Sequence, residues 1–409
     1  MGSTRRGFLE AAGLTIMGSR LVRGTEANSA IRVGLLGCGG RGTTVANSMV
    51  NNAGARVVAL GDLFQDQLDR AKKHFDGFAV VDPTQMFHGP RAFEQIAAST
   101  AVDAIVIATP PYFHPQHLNA VVDAGKHAYC EKPVAVDVPG TRRVFEIGRK
   151  AEGRLSLEVG FQIRNAPPFV ELVRRIHAGA IGEIGFADAY YYCQYLDASH
   201  PDAPPAQMRI RNWLHDRVLS GDIILEQNIH ALDICNWVLQ GHPVKALGAG
   251  GRKGRAPDDC LGHCSVCFWY PGDVQVNFSS KQFGKGPFDV CERFFGTRGS
   301  SQSPYSGPLG IDGEEKWTWA GSETKEAGEF SASGAFADNL AQADAQKHRS
   351  FIESITSGRF HNQAALGVES SLTAMLGRTA MYTGREVTWD ELLASHETWD
   401  AGIDLDKLG

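Results

Sequence analysis

The sequence predicts two domains: an N-terminal α/β unit on a parallel sheet, then an α+β unit with a large, mostly antiparallel open sheet. Three observations carry this reading. The chain has 409 residues, more than one ordinary core accommodates. From Ile31 to about Ser156, short apolar runs alternate with helical stretches, the pattern of a parallel sheet covered on both faces. Beyond Ser156, β-rich segments follow one another with turns between them, as in an antiparallel sheet with one face exposed.

The elements follow in order. Ile31 to Gly37 is a short apolar run ending in glycine, a buried strand, and a helix continues to about Asn51. Ala55 to Asp62, Val102 to Ala108 and His127 to Glu131 read as further strands; Gln65 to Phe75, Phe93 to Ser99 and His114 to Ala124 read as helices. In the second unit, Phe186 to Tyr195, Val244 to Ala249, Cys264 to Tyr270, Val274 to Gln282 and Cys291 to Gly296 are β-rich. Pro168 to His177 and Leu225 to Leu239 interrupt them as helices. The Gly/Ser/Pro-rich stretch from Thr297 to Gly313 reads as a loop, and Ser331 to Asp338 as another. Asp344 to Ser357 and Ser370 to Tyr382 are helices expected to pack back across the first domain. The expected limits are 31–155 for the first domain, 156–395 for the second, and 396–409 for a C-terminal tail.

Composition narrows the function. Hydrophobic residues at 43% and charged residues at 21% suit a globular protein, and a net charge of −6 offers no footprint for nucleic acid. No run of eighteen apolar residues exists to span a membrane. Thr4-Arg5-Arg6-Gly7-Phe8-Leu9 is a twin-arginine pattern, followed by a weakly apolar stretch from Ala11 to Met17 and small polar residues to Ala30. Residues 1–30 thus resemble a Tat export signal, implying a periplasmic protein; the plainer alternative is a disordered tail. The eight cysteines are scattered. Cys264 and Cys267 lie three apart on an expected strand and so point to opposite faces, which argues for core thiols and against a metal site.

Gly37-Cys-Gly39-Gly40-Arg41-Gly42 fits G-x-G-x-x-G. It follows a strand, opens a helix, and precedes Asp62, twenty residues after Gly42 at a strand end. That context makes a dinucleotide-binding Rossmann unit, with the pyrophosphate on the helix N-terminus. Asp62 accepts ribose hydroxyls and repels a 2′-phosphate, favouring NAD over NADP. Glu131-Lys132-Pro133 ends another strand, at the carboxyl edge where ligands meet the cofactor. A lysine there binds a substrate oxygen; an ordinary ion pair is the plainer reading.

These motifs, with Ala108-Thr109-Pro110-Pro111, His114, Ala124 to His127, Val159-Gly160-Phe161-Gln162, Gly179 to Ile184 and Met381 to Trp389, resemble the Gfo/Idh/MocA oxidoreductases. The resemblance covers roughly Ile31 to Ser395. It implies that Thr109, Pro110, His114, Glu131, Lys132 and Gln162 complete the cofactor site, and that Lys132 orients substrate. It further implies that His230 exchanges a proton with a sugar hydroxyl. Where the family has aspartate four residues before this histidine, the sequence has Glu226, and the two are expected on one helix face with the carboxylate orienting the ring. Arg164, Asn165, Tyr192, Arg211, Trp213 and Asn228 are the candidate substrate contacts, since polar donors and aromatic faces suit a hydroxylated ring. Pairing through the open sheet in homodimers or homotetramers is expected, as in relatives.

Export together with NAD dependence requires a cofactor that travels bound and a cycle that restores it. One such cycle passes hydride from one sugar to NAD and on to a second carbonyl. The other is a redox-neutral glycosidase: transient oxidation of a ring hydroxyl acidifies the adjacent C–H, and the glycosidic substituent is eliminated. A non-catalytic NAD-binding sensor or scaffold is the reading from another class.

Overall fold

The computed structural model describes residues 30–77, 81–196, 200–254, 259–286, 288–322 and 338–408. The twin-arginine segment and most of the second expected loop lie outside these residues.

The first sheet has six parallel strands in the order β3-β2-β1-β4-β5-β6: β1 Arg32–Leu36, β2 Arg56–Asp62, β3 Met86–His88, β4 Ala104–Ile107, β5 His127–Cys130 and β6 Leu157–Val159. All four residues of β4 are fully buried, as are Val33 and Leu35 of β1, because helices cover both faces. The strand order reverses between β1 and β4, which opens a crevice at their carboxyl ends. The sheet runs one strand beyond residue 155, since Leu157–Val159 pairs with β5. Three-residue strands such as β3 and β6 carry too little pattern to be read locally.

The second sheet has nine strands in the order β14-β13-β12-β11-β7-β10-β9-β8-β15. They are β7 Ile184–Cys193, β8 Lys245–Gly251, β9 His263–Tyr270, β10 Val274–Gln282, β11 Asp289–Gly296, β12 Gly299–Gln302, β13 Gly310–Gly313, β14 Trp317–Thr318 and β15 Val387–Thr388. Only the β7–β10 pair is parallel. Burial alternates along β7: Ala187, Ala189, Tyr191 and Cys193 are buried, while Tyr190 and Tyr192 look to the other face. The helices Ile229–Leu239 and Ala364–Thr383 pack against the buried face. Cys264 is buried and Cys267 partly exposed on β9, as the strand period requires.

Two expectations are corrected. Thr297 to Gly313 is not a plain loop: it contains β12 and β13, paired from Gly299↔Gly313 to Gln302↔Gly310. Backbone pairing holds these strands, so their small residues show no apolar alternation. Leu225 to Leu239 is not one helix. It divides into Ile223–Glu226 and Ile229–Leu239, with Gln227 and Asn228 between them. Asp222, at φ 74°, caps the short helix by accepting the Ile223 N–H at 2.6 Å, and it accepts the Tyr382 hydroxyl as well.

The C-terminal part closes back over the first domain. Helix Ala343–Thr356 packs on helix Gly40–Ala53, and Ala364–Thr383 packs on Val138–Ala151. The final residues are also tied down. Trp399 donates its N–H to Asp137 at 2.9 Å and lies 3.9 Å from the Arg378 guanidinium, ring centroid to carbon.

Candidate active site

The glycine turn is built by contact. Gly37 sits at φ 92°, and a Cβ there would lie 2.6 Å from the Ala108 carbonyl. A Cβ on Gly42 would lie 2.1 Å from the Gly37 oxygen, so helix and strand approach as closely as only glycine permits. Gly39 and Gly40, by contrast, border open space. The helix that starts at Gly40 has no side-chain cap, which leaves its first N–H groups for an anion.

The Asp62 carboxylate accepts the Cys38 N–H at 2.7 Å and the Phe64 N–H at 2.9 Å. These bonds aim it along the cleft, and burial pushes its carboxyl above the usual carboxylate range. A cavity of about 410 Å³ runs past Gly37, Gly39, Asp62, Thr109 and Pro110. An uncapped helix, glycines without obstruction and an aimed carboxylate fit a dinucleotide. Asp62→Ser is expected to weaken NADH binding about 10–100-fold, from the loss of charge-assisted hydrogen bonds, and to narrow the preference over NADPH. Fluorescence titration with both dinucleotides checks this, and unchanged selectivity would assign the carboxylate to the turn alone.

Three residues expected at the cofactor have other partners. Arg41 donates Nε to Glu131 at 2.7 Å and its terminal nitrogens to Asp344 at 2.9 and 3.3 Å. It bolts the glycine turn to the Glu131 strand end and to helix Ala343–Thr356. Glu131 also accepts from the Tyr129 hydroxyl at 3.0 Å and the Lys132 N–H at 3.2 Å. Burial pushes its carboxyl up, but the charges of Arg41, Lys347 and Lys132 outweigh this and hold it at about 2. His114 is fully buried, its ring nitrogens 2.7 Å from the carbonyl oxygens of Pro133 and Thr109. It clamps the two loops together. Gln162, also buried, follows β6.

Acid sensitivity follows from the buried imidazoles. Burial pushes His117 and His348 down to about 3, so both are neutral in the fold and take up a proton on unfolding below about pH 6.5. Stability is therefore complete above that pH. Each histidine lowers it by about 1.4 kcal/mol per unit as pH falls toward 3. Urea unfolding at pH 7.5 and 5 measures this, and equal midpoints would contradict it.

Lys132 reaches the second domain. Its ammonium donates to the Glu226 carboxylate at 3.1 Å and to the Glu226 backbone carbonyl. Glu226 thus holds Lys132; no hydrogen bond joins it to His230. The helix break explains this departure, because Glu226 ends one helix and His230 belongs to the next. Burial, then the Lys132 charge, pushes His230 well below the ordinary imidazole range, so its ring is neutral. Its Nδ1 is buried without a hydrogen-bond partner, as are both amide atoms of Asn228. Orphaned polar atoms in a native fold call for a ligand or water.

The other substrate candidates separate. Arg164 forms a two-bond pair with Asp233 at 2.8 and 2.9 Å and borders a different cavity beside Trp237. Asn165 bonds its own loop at Phe161. Tyr192 bonds Ser279 at 2.6 Å on the face of β7 away from the helices. Arg211 and Trp213 border the dinucleotide cleft beside Phe64, not the Lys132 region. His200, Ile210 and Leu405 border it too, and no sequence signal marks them: His200 lies in a loop, Ile210 and Leu405 in helical segments of three or four residues, too short to show a period.

Comparison with known proteins agrees with this architecture. An inositol 2-dehydrogenase of Saccharopolyspora erythraea is 31% identical over 223 residues, 54% of this chain and 57% of that protein. The match thus spans little more than half of that relative's length. Two crystal structures share the fold. One is scyllo-inositol dehydrogenase of Lactobacillus casei with NAD(H) and scyllo-inositol, at TM-score 0.68 and 19% identity over 88% of this chain and 99% of that one. The other is aldose-aldose oxidoreductase of Caulobacter crescentus, at TM-score 0.68 and 18% identity with the same coverage. Residues 31–159 match the oxidoreductase family's NAD-binding Rossmann domain and residues 169–302 its C-terminal domain. Two successive parts of one family, together covering most of the chain, are present in order: the protein belongs to the GFO/IDH/MocA oxidoreductases.

Proposed function

We propose that the protein oxidises a hydroxyl of a sugar, polyol or glycoside, with NAD as tightly held hydride acceptor. The observation that carries this is Lys132, held by Glu226 at the carboxyl edge of the first sheet beside a neutral His230. NAD supplies the hydride-accepting ring. Neutral His230 takes the hydroxyl proton, and the Lys132 ammonium donates a hydrogen bond to the oxygen as it becomes a carbonyl. Asn228 offers an amide for a neighbouring hydroxyl. The relatives named for inositol point to a cyclic polyol or sugar as the substrate class.

The twin-arginine pattern supports periplasmic export with NAD already bound. A cleft bordered by residues of both domains and of the chain's end supports retention of the cofactor. Retention suits hydride exchange between two sugars, and it equally suits the second reading, a redox-neutral glycosidase. The test uses purified protein without added NAD, mixed with inositols, aldoses and aryl glycosides. Reduction of bound nicotinamide, seen at its absorbance band, supports the oxidoreductase; release of aglycone supports the glycosidase. Denatured protein that yields no nicotinamide, together with silence on every substrate, would point to a scaffold.

A further inference from the structure

The adenosine side of the cleft has a wall that the first domain does not supply. Residues 200–213, which cross from β7 toward the helices of the second domain, place Ile210, Arg211 and Trp213 in the cleft opposite Gly39 and Asp62. Leu405, three residues before the last one described, lines it from the C-terminal part of the chain.

The two stretches form one unit. Gln207 donates its amide to the Leu408 carbonyl at 3.0 Å, and Arg209 donates to the Ala401 carbonyl at 2.9 Å and to Asp216 at 2.6 Å. Ile210, Leu219, Ala401 and Leu408 share a small apolar cluster with Phe64 and Phe113 of the first domain. The unit is rooted at Trp399, which is fixed by Arg378 and Asp137.

Arg211 joins this unit to the cofactor side. Its guanidinium lies 3.8 Å from the Phe64 ring centroid and donates to Asp66 at 2.7 and 3.1 Å, two and four residues beyond the ribose-facing Asp62. The Asp66 side chain is half exposed. Gln67 meets His200 at 3.5 Å, and Ala401 donates its N–H to the Tyr112 hydroxyl at 3.4 Å, so the wall is held across the cleft by a few partly exposed polar contacts and a small apolar cluster. Such contacts close and open without unfolding either domain.

We propose that residues 200–213 and 401–408 form a strap over the adenosine half of the NAD site, with Arg211 and Trp213 as cofactor-facing residues, and that NAD leaves only when the strap lifts. The inference rests on the NAD reading above and adds to it residues outside the glycine turn. It also relocates Arg211 and Trp213 from substrate recognition to cofactor retention.

The test measures the release rate of NADH from the full-length protein by loss of its fluorescence on dilution into excess NAD. Three variants are compared: Arg211→Ala, Trp213→Ala, and a chain ending at Ile403, which removes Leu405 and Leu408. Each is checked for folding by thermal melting. Release at least about tenfold faster in the folded variants, with the association rate changed far less, is the expected result, since contacts around a bound ligand act chiefly on dissociation. Because Arg211→Ala removes a single side chain whose Asp66 partner is half exposed, it keeps the test open if the shortened chain fails to fold. Unchanged release in folded variants overturns the strap while leaving the NAD reading intact. If the unaltered protein binds no NADH at all, both fall.

Discussion

Replacing Lys132 by methionine is expected to lower turnover by about 10²–10³-fold, the range for losing one positioned donor to the reacting oxygen, while NADH still binds. Its ammonium is placed by Glu226 and lies near enough to His230 to depress the imidazole pKa. His230→Asn should cost a similar factor for a different reason, since it removes the base and keeps a polar side chain. The pH profile separates the two. In the unaltered protein His230 stays neutral well below pH 6.5, so the acid limb of kcat/KM should lie below that value. In Lys132→Met the second-largest cause of the depression is gone and the limb should move up. Glu226→Gln should release the lysine and raise KM and lower kcat together. Full turnover in either Lys132→Met or His230→Asn, with any active substrate, would remove the residue from the site.

The second large effect is on stability. Arg41→Met should destabilise the fold by about 3–5 kcal/mol, the cost of stranding a buried charge whose partner is removed. Glu131 is 5% exposed, and Asp344 shares the same guanidinium. Both carboxyls sit below their ordinary range, Asp344 despite burial and through Lys347 and Arg41. A depressed carboxyl contributes stability that is complete above its unfolded pKa, near 4.5 for Glu131, and is lost as pH falls toward 2. The variant should therefore show a lower urea midpoint at pH 7 and a shallower acid dependence between pH 4.5 and 2. A Glu131→Gln/Arg41→Met pair should recover part of the loss, because the stranded charge is then absent. A change under about 1 kcal/mol in Arg41→Met would show that the arginine is not the bolt between the glycine turn and the C-terminal helix.

Some of the site was legible in the chain itself, and the reason is locality. The glycine turn and Asp62 belong to one strand-helix-strand unit, so their spacing alone places them together. Lys132 ends a strand of the same sheet, and parallel topology sends all such ends to one edge. The helix expected at 344–357 lies at Ala343–Thr356, while the one expected at 370–382 begins six residues earlier, at Ala364.

What the sequence by itself determined is the two-sheet architecture and the cofactor turn, both written in short-range periods and in glycines that admit no side chain. Only the tertiary structure decided the partners of the charged residues. A local pattern reports that Arg41, Glu131, Arg164 and Glu226 are charged, but a buried charge goes to whichever opposite charge or carbonyl the fold brings within 3 Å or so. For Arg41 that is Asp344, 303 residues away; for Glu226 it is Lys132, 94 residues away. The same holds for the strap, whose two halves lack any period and acquire a place only because the end of the chain crosses the cleft.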